Sequence, residues 1–268
     1  MRDTALPIDD RGLAYGDGLF ETVLVRDGHP LLWKHHMARL EEGVRRLALP
    51  WPDFEAFDAL PAQCGPGLHV LKLMVTRGSG GRGYRPPELA ELRWRWNASA
   101  FRPAAERWFE GVAVRCCETR LGIQPRLAGI KHLARLENVL ARQEWQDESI
   151  AEGLLCDSQG YLVEGTAMNL IWHRQGRLET PLLDRSGVKG TLLSALEGEV
   201  VLHRVREGID TLLQADAAWL INSVQGVWPI HRLDDASGRC LKRWPLMPGS
   251  SVQQIAHRLL GYPLNPND

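Results

Sequence analysis

The sequence predicts an α/β fold in two parts: a small α+β domain over residues 1–102, a linker over 103–110 and a larger α/β domain over 111–268. Three observations lead to this prediction. The chain has 268 residues, of which 44% are apolar and 24% charged, as in soluble proteins with one large or two medium domains. Segments with strand-like and helical periodicity alternate along it. The stretch Phe101-Arg-Pro-Ala-Ala-Glu-Arg107 interrupts both periodicities with a proline.

The small domain is expected to begin with a hairpin followed by a helix. Two β-favouring runs, 19–25 and 29–33, flank a turn at Arg26-Asp-Gly28. Apolar residues then recur at helical spacing, which predicts a helix over 34–47. A second short helix near 54–60 and strands over 68–76 and 91–96 complete this domain.

The larger domain is expected to mix strands and helices more evenly. Strands are predicted over 111–117, 153–156, 161–164, 169–173, 201–205 and 218–222. Helices are predicted over 135–145, from Thr191 onward and over 251–260.

Composition excludes several functional classes. A net charge of -1 and a pI of about 6.8 provide no basic field for nucleic acid. No run approaches the roughly 18 apolar residues of a membrane span, and the start lacks a signal segment, so a cytoplasmic protein is expected. The five cysteines are never spaced as Cys-x-x-Cys, so neither a disulfide framework nor a thiolate zinc site is predicted.

Lys131 and Glu164 are the main candidates for chemistry. A lysine amine can hold pyridoxal phosphate as a Schiff base, and a carboxylate can keep the pyridine nitrogen protonated. Taken singly, each residue is more commonly a solvated surface charge. Their interpretation therefore depends on the surrounding segments.

The segment Gly78-Ser-Gly-Gly-Arg-Gly83 matches a dinucleotide-binding pattern literally, but its context does not fit. Such a turn must open directly into a helix, whereas Tyr84-Arg-Pro-Pro87 follows here. Two interpretations stay open. The segment is either a flexible hairpin tip or an active-site loop in which Arg77 and Arg82 offer paired donors to carboxylates.

Three further features concern metal or anion binding. The adjacent His35 and His36 would point to different helix faces, so no metal site is predicted. Arg39, on the same helix, is either a solvated charge or a phosphate contact. The segment Gly187-Val-Lys-Gly-Thr191 is either a simple turn or an anion site at a helix start.

Six segments, in this order, resemble the fold-type IV pyridoxal phosphate enzymes, the family of D-amino acid and branched-chain aminotransferases. They are Asp10-Arg-Gly-Leu-Ala-Tyr-Gly-Asp-Gly-Leu-Phe-Glu-Thr22, His36-Met-Ala-Arg-Leu40, Thr76-Arg-Gly-Ser-Gly-Gly-Arg-Gly-Tyr84, Leu127-Ala-Gly-Ile-Lys-His-Leu133, Val163-Glu-Gly-Thr-Ala-Met-Asn-Leu170 and Gly187-Val-Lys-Gly190. The third and fourth segments are most similar to the 4-amino-4-deoxychorismate lyase branch. The resemblance implies the D-amino acid aminotransferase-like fold and pyridoxal 5'-phosphate as cofactor.

The resemblance also implies roles for individual residues. Lys131 would bind the cofactor and act as acid and base, and Glu164 would hold the pyridine nitrogen. The phosphate would be gripped by Arg39, by backbone groups of Val188 and Lys189, and by a second turn containing Asn222 and Ser223. Thr22 would lie near the substrate, and the expected substrate contacts are Arg77, Arg82 and Tyr84.

The implied reaction converts 4-amino-4-deoxychorismate to 4-aminobenzoate and pyruvate for folate synthesis, in a homodimer. A D-amino acid or branched-chain amino acid aminotransferase is the main alternative, and a nucleotide-binding or regulatory module without catalysis is the third. Glu21 departs from the pattern, because related lyases often carry a smaller residue there. If Glu21 points into the site, its charge would disfavour a dianionic substrate.

Overall fold

A computed structural model of the chain describes residues 6–247 and 249–264. The chain divides into two compact units. The first unit contains the residues up to Arg102 together with Ile130–Arg135, and the second contains Pro103–Gly129 and the residues from Leu136 onward.

The first unit contains a four-stranded antiparallel sheet with the strand order β2-β1-β3-β4. Its elements are α1 (Arg11–Tyr15), β1 (Gly18–Arg26), β2 (His29–Pro30), α2 (Trp33–Leu47), α3 (Phe54–Asp58), a 3-10 helix (Pro61–Cys64), β3 (Leu68–Thr76) and β4 (Arg93–Ala100). The predicted strand over 68–76 and the hairpin before it are confirmed.

The β1–β2 hairpin forms because its turn residues adopt positive φ angles. Asp27 has φ 50° and Gly28 has φ 77°, the geometry of turns that match strand twist. The second strand, His29–Pro30, is shorter than predicted. The backbone of Leu32 adopts the left-handed conformation (φ 55°), and Trp33 is already the first residue of α2. Helix α2 approaches β1 closely at Gly43, where a Cβ would come within 2.7 Å of the Leu19 side chain.

The segment Ile130–Arg135 belongs with the first unit because it is hydrogen-bonded to β1. The Phe20 N–H donates to the Lys131 carbonyl at 3.0 Å, and the Leu133 N–H donates to the Gly18 carbonyl at 3.0 Å. These bonds join residues more than 100 positions apart in sequence, which local periodicity cannot reveal. The sequence had placed this segment in the larger domain.

The second unit is built on a nine-stranded mixed sheet with the order β10-β9-β8-β11-β12-β5-β6-β7, and β13 also pairs with β12. Its elements are α4 (Glu106–Glu110), β5 (Val112–Leu121), α5 (Leu136–Arg142), β6 (Ile150–Asp157), β7 (Leu162–Gly165), β8 (Asn169–Arg174), β9 (Arg177–Pro181), α6 (Thr191–Leu196), β10 (Leu202–Val205), α7 (Asp210–Leu213), β11 (Ala217–Asn222), β12 (Gly226–Asp234), β13 (Cys240–Arg243) and α8 (Ser251–Leu260). The predicted linker 103–110 lies in this unit and includes α4.

Strand β12 is the main element that the sequence analysis missed. It lies between β11 and β5, although Pro229 removes one backbone donor from the ladder. Its pairing with β5 has a register irregularity between Ile230 and Arg232. Among the residues that the structure describes, no helix combines the length and apolar character needed to cross a membrane.

Candidate functional site

In the first unit, Lys131 is held beside β1. Its carbonyl accepts the Phe20 N–H, and its Nζ lies 4.5 Å from the centroid of the Phe20 ring. The residue is half-buried. Its backbone is therefore fixed to a sheet strand while its amine lies over an aromatic ring.

Thr22 belongs to the same face of the sheet as Phe20, because alternate residues of a strand point to the same side. Its cross-strand neighbour on β3 is Lys72, whose Nζ lies 5.5 Å from the centroid of the Phe20 ring. One face thus carries Lys131, Thr22 and a second cation. The sequence analysis missed Lys72 as a candidate site residue. Strand alternation alone does not show that Lys72 and Lys131 lie near the same aromatic ring.

The opposite face of β1 carries a buried ionic cluster around Glu21. The Arg39 guanidinium donates to both oxygens of Glu21, at 2.9 and 2.5 Å. His36 Nδ1 lies 2.6 Å from the same carboxylate. Glu21 is 1% exposed, so its charge faces α2 and is compensated there rather than directed to the face of Phe20 and Thr22.

The cluster shifts the pKa values of its members. Burial alone would raise the pKa of Glu21, but the Arg39 charge and the hydrogen bond from His36 outweigh burial and lower it to about 2. Burial and the nearby Arg39 charge lower the pKa of His36 against the opposing effect of Glu21. His36 is therefore neutral at pH 7, and its Nδ1–H donates to Glu21.

Arg77, a predicted substrate contact, makes its hydrogen bonds within the first unit. Its guanidinium donates twice to Asp17, at 2.8 and 3.0 Å, and to the carbonyls of Leu47 and Ala48, at 2.7 and 2.8 Å. It is 8% exposed. Four of about five N–H donors are thus used to anchor the carboxyl end of α2.

The glycine-rich loop after β3 leads to the antiparallel strand β4, with no helix between the two strands. This loop therefore lacks the strand–turn–helix unit of a dinucleotide site. The Arg11 side chain donates to the carbonyls of Gly80, Gly83 and Tyr84. Arg82 is exposed, and Tyr84, also exposed, packs its ring 5.4 Å from that of Tyr15.

In the second unit, Glu164 lies on β7 with 5% of its surface exposed. Its Oε2 accepts the Val188 N–H at 2.8 Å. Gly187 passes close by in a left-handed conformation (φ 79°), where a Cβ would come 2.5 Å from Val163 Cγ1 and 3.3 Å from Glu164 Cδ. Only glycine allows this close approach of the backbone to the carboxylate.

The turn after Glu164 is organised by Glu152, a buried carboxylate that the sequence analysis missed. It accepts the N–H groups of Gly153 and Thr166 at 2.9 and 3.0 Å, that of Ala167 at 3.3 Å, and the Thr166 hydroxyl. Burial outweighs these bonds and raises the pKa of Glu152. Glu152 thereby connects the backbone of the two residues after Gly165 to strand β6.

Three of the four residues predicted to bind phosphate in this unit make internal hydrogen bonds. The Val188 N–H donates to Glu164, and the Lys189 N–H donates to the Gly129 carbonyl at 3.0 Å. Asn222 Oδ1 accepts two N–H groups of its own turn, at 3.0 and 2.6 Å, and Ser223 is buried. The backbone N–H groups of Val188 and Lys189 thus both donate to protein acceptors in this structure. Phosphate binding by them stays a prediction.

The donor set fits the cofactor that the resemblance implies. Lys131 supplies a primary amine, and Glu164 supplies a buried carboxylate that can pair with a protonated ring nitrogen. The close approach at Gly187 leaves no side chain between the backbone and that carboxylate. Arg39, held by Glu21, supplies a guanidinium for an anionic group. Although this cluster is behind the strand, the Lys131 charge acts on His36, one of its members.

Comparison with known proteins agrees with this chemistry. The amino-transferase class IV family matches residues 18–233. An aminodeoxychorismate lyase of Vibrio harveyi is 36% identical over 258 residues, covering 91% of this chain and 95% of its own. The crystal structure of 4-amino-4-deoxychorismate lyase from Pseudomonas aeruginosa matches with a TM-score of 0.85 and 44% identity, covering 95% of each chain. A putative branched-chain-amino-acid aminotransferase of Methanocaldococcus jannaschii is 27% identical, covering 87% of this chain and 84% of its own.

Proposed function

The chain belongs to the class IV aminotransferase family, and we propose that within it the protein is a lyase that converts 4-amino-4-deoxychorismate to 4-aminobenzoate and pyruvate. One observation carries this proposal: the 44% identity, over 95% of both chains, with a structure of that lyase. The relative named for the aminotransferase alternative is less similar, at 27%.

The enzyme uses pyridoxal 5'-phosphate, as expected from the resemblance. When bound, this cofactor supplies an electron-withdrawing ring that stabilises negative charge on the carbon attached to the substrate nitrogen. Lys131 would hold its carbonyl carbon, Glu164 its ring nitrogen and Arg39 its phosphate. Each of these residues is fixed by neighbours: Lys131 by Phe20, Glu164 by Val188 and Arg39 by Glu21.

Lys131 also moves the protons of the reaction. Its released amine removes the proton from the substrate carbon that bears nitrogen. The resulting ammonium then gives a proton to the departing enolpyruvyl group, which leaves as pyruvate. One residue can serve as base and then as acid, because both proton transfers occur at the same Nζ.

The substrate carries two carboxylates, and the structure changes which cations are proposed to meet them. Arg77 is used to anchor α2, whereas Lys72 lies on the same sheet face as Thr22 and near the same ring as Lys131. Lys72 is exposed, so its ammonium can meet an anion. We therefore propose Lys72 and Thr22 as substrate contacts, with Arg82 and Tyr84 as contacts from the exposed loop.

Incubation with 4-amino-4-deoxychorismate and pyridoxal phosphate, without any keto acid, tests the proposal. Formation of 4-aminobenzoate and pyruvate in equal amounts is expected, and Lys131→Ala should lower the rate by at least about 10³-fold, because it removes the acid–base group. Lys34→Ala, which removes an exposed lysine at the start of α2, is the matched control and should retain full activity.

The same experiment separates the aminotransferase alternative. That activity would give neither product, and added D- or L-amino acids would instead convert the bound cofactor to its amine form. This result would contradict the lyase proposal. A protein that neither binds pyridoxal phosphate nor loses activity in Lys131→Ala would contradict both enzymatic assignments.

We further propose a homodimer that acts in the cytoplasm and supplies 4-aminobenzoate for folate synthesis. Helix α5 supports self-association, because Leu136, Val139 and Leu140 expose 75%, 49% and 56% of their surface on one helical stripe. All five cysteines are free thiols, as in a reducing compartment. Sedimentation velocity would contradict the dimer if it gave a monomer at micromolar concentration.

A further inference from the structure

Arg135 contacts the backbone on both sides of Lys131. Its Nη2 donates to the carbonyl of Ile130 at 2.8 Å, and its Nε donates to the carbonyl of His132 at 3.2 Å. One planar guanidinium therefore bridges the residues immediately before and after the lysine. Because the guanidinium is planar, it loses little side-chain conformational entropy for each hydrogen bond that it forms.

These two bonds complete the fixation of the segment. The Lys131 carbonyl accepts the Phe20 N–H, and the Leu133 N–H donates to the Gly18 carbonyl. Strand β1 thus binds the segment at Lys131 and Leu133. Arg135 binds the carbonyl of His132, between these two residues, and the carbonyl of Ile130, just before them. Three successive carbonyls, those of Ile130, Lys131 and His132, are hydrogen-bonded.

The position of Arg135 is unusual for a basic residue. It directly precedes Leu136, the first residue of α5, and positive charge is disfavoured at a helix start. The neighbouring His132 adds no further positive charge there, because burial together with the charges of Arg135 and Lys131 lowers its pKa to about 4. The two carbonyl contacts therefore explain why an arginine occupies this position.

We propose that Arg135 is a positioning residue for the reaction: it fixes the peptide of Lys131 so that the amine stays in one place as it bonds to the cofactor and transfers protons. The inference rests on the proposed function, which assigns those tasks to Lys131. Arg135 itself is not proposed to touch the substrate. Its effect is geometric, since a displacement of about 1 Å at a reacting group can cost about 100-fold in rate.

Two substitutions test this inference. Arg135→Gln removes the bridging guanidinium, and Arg135→Lys keeps the charge but not the two-pronged geometry. For Arg135→Gln we expect kcat to fall by about 10- to 100-fold with KM changed by less than about threefold. Arg135→Lys should fall between this variant and the wild type. Arg126→Gln, which removes an exposed arginine of the preceding turn, is the control and should change neither constant.

Hydrogen exchange of the cofactor-free proteins provides a readout independent of activity. A peptide covering residues 127–135 should exchange faster in Arg135→Gln than in the wild type or in Arg126→Gln, because the segment loses its clamp. Peptides from β6 should be unchanged. Equal exchange in this segment, a kcat within threefold of wild type for Arg135→Gln, or full activity of Arg135→Lys would each overturn the inference.

Borohydride reduction separates this inference from the proposed function. Wild-type protein mixed with pyridoxal phosphate, reduced and digested should carry the pyridoxyl group on Lys131. If wild type carries none there, the proposed function and the role of Arg135 both fail. If wild type is labelled and Arg135→Gln is labelled at the same rate with unchanged kcat, only the role of Arg135 fails.

Discussion

The ionic cluster of Glu21, His36 and Arg39 makes a measurable contribution to stability, and Glu21→Gln tests it. The substitution nearly keeps the side-chain shape but leaves the Arg39 guanidinium, which is 11% exposed, without its counter-charge. The folded pKa of Glu21 is about 2, against an ordinary value of 4.5. At 1.36 kcal/mol for each pKa unit, the ionised carboxylate contributes about 3 kcal/mol.

The sign of this effect determines its pH dependence. Because the folded pKa lies below the unfolded one, the contribution is complete above pH 4.5 and is lost as the pH falls toward 2. Urea unfolding of the cofactor-free protein, followed by circular dichroism, should show Glu21→Gln less stable than wild type by about 3 kcal/mol at pH 7. At pH 3 the difference should be about 1.5 kcal/mol.

Glu42→Gln is the matched control for this experiment. Glu42 lies on α2 and pairs with Arg45 and Arg46, but its side chain is 34% exposed. Loss of such a pair should cost less than about 1 kcal/mol. The reasoning would be refuted if Glu21→Gln lost under 1 kcal/mol at pH 7, or if its loss were the same at pH 3 as at pH 7.

Two further substitutions test the assignments of Arg77 and Glu164. Arg77→Ala removes four partly buried hydrogen bonds, so urea unfolding should show a loss of about 3 kcal/mol while KM stays within about twofold; a tenfold rise in KM at unchanged stability would instead support a substrate contact. Glu164→Gln removes the carboxylate charge, so steady-state assays should show kcat reduced by about 100-fold. Wild-type turnover by that variant would remove Glu164 from the chemistry.

Much of the architecture was predictable because it depends on local patterns. The strand over 68–76, the helix over 251–260 and the Asp27–Gly28 turn follow from residue spacing and turn preferences, and the structure has all three. Strand β12 was missed because Pro229 is atypical of a central strand, and its pairing with β5 depends on residues that are distant in sequence.

The candidate chemistry of Lys131 and Glu164 was also readable from the sequence, since their residue types and flanking motifs suffice to suggest a pyridoxal phosphate enzyme. What those motifs could not reveal was the set of neighbours that fixes them. Arg135 follows Lys131 by only four positions, yet a lone arginine before a helix carries no sign that it reaches back to two carbonyls.

The partners of the charged residues were decided only by the tertiary structure. Arg77 was expected to face a substrate, but it pairs with Asp17, 60 positions away. Glu21 was expected to oppose a dianionic substrate if it pointed into the site, but it faces Arg39 and His36 on α2. A residue's type and local spacing determine what chemistry it can perform and which face of a helix or strand it occupies. Packing between distant segments determines whether its donors and charge are still available for that chemistry.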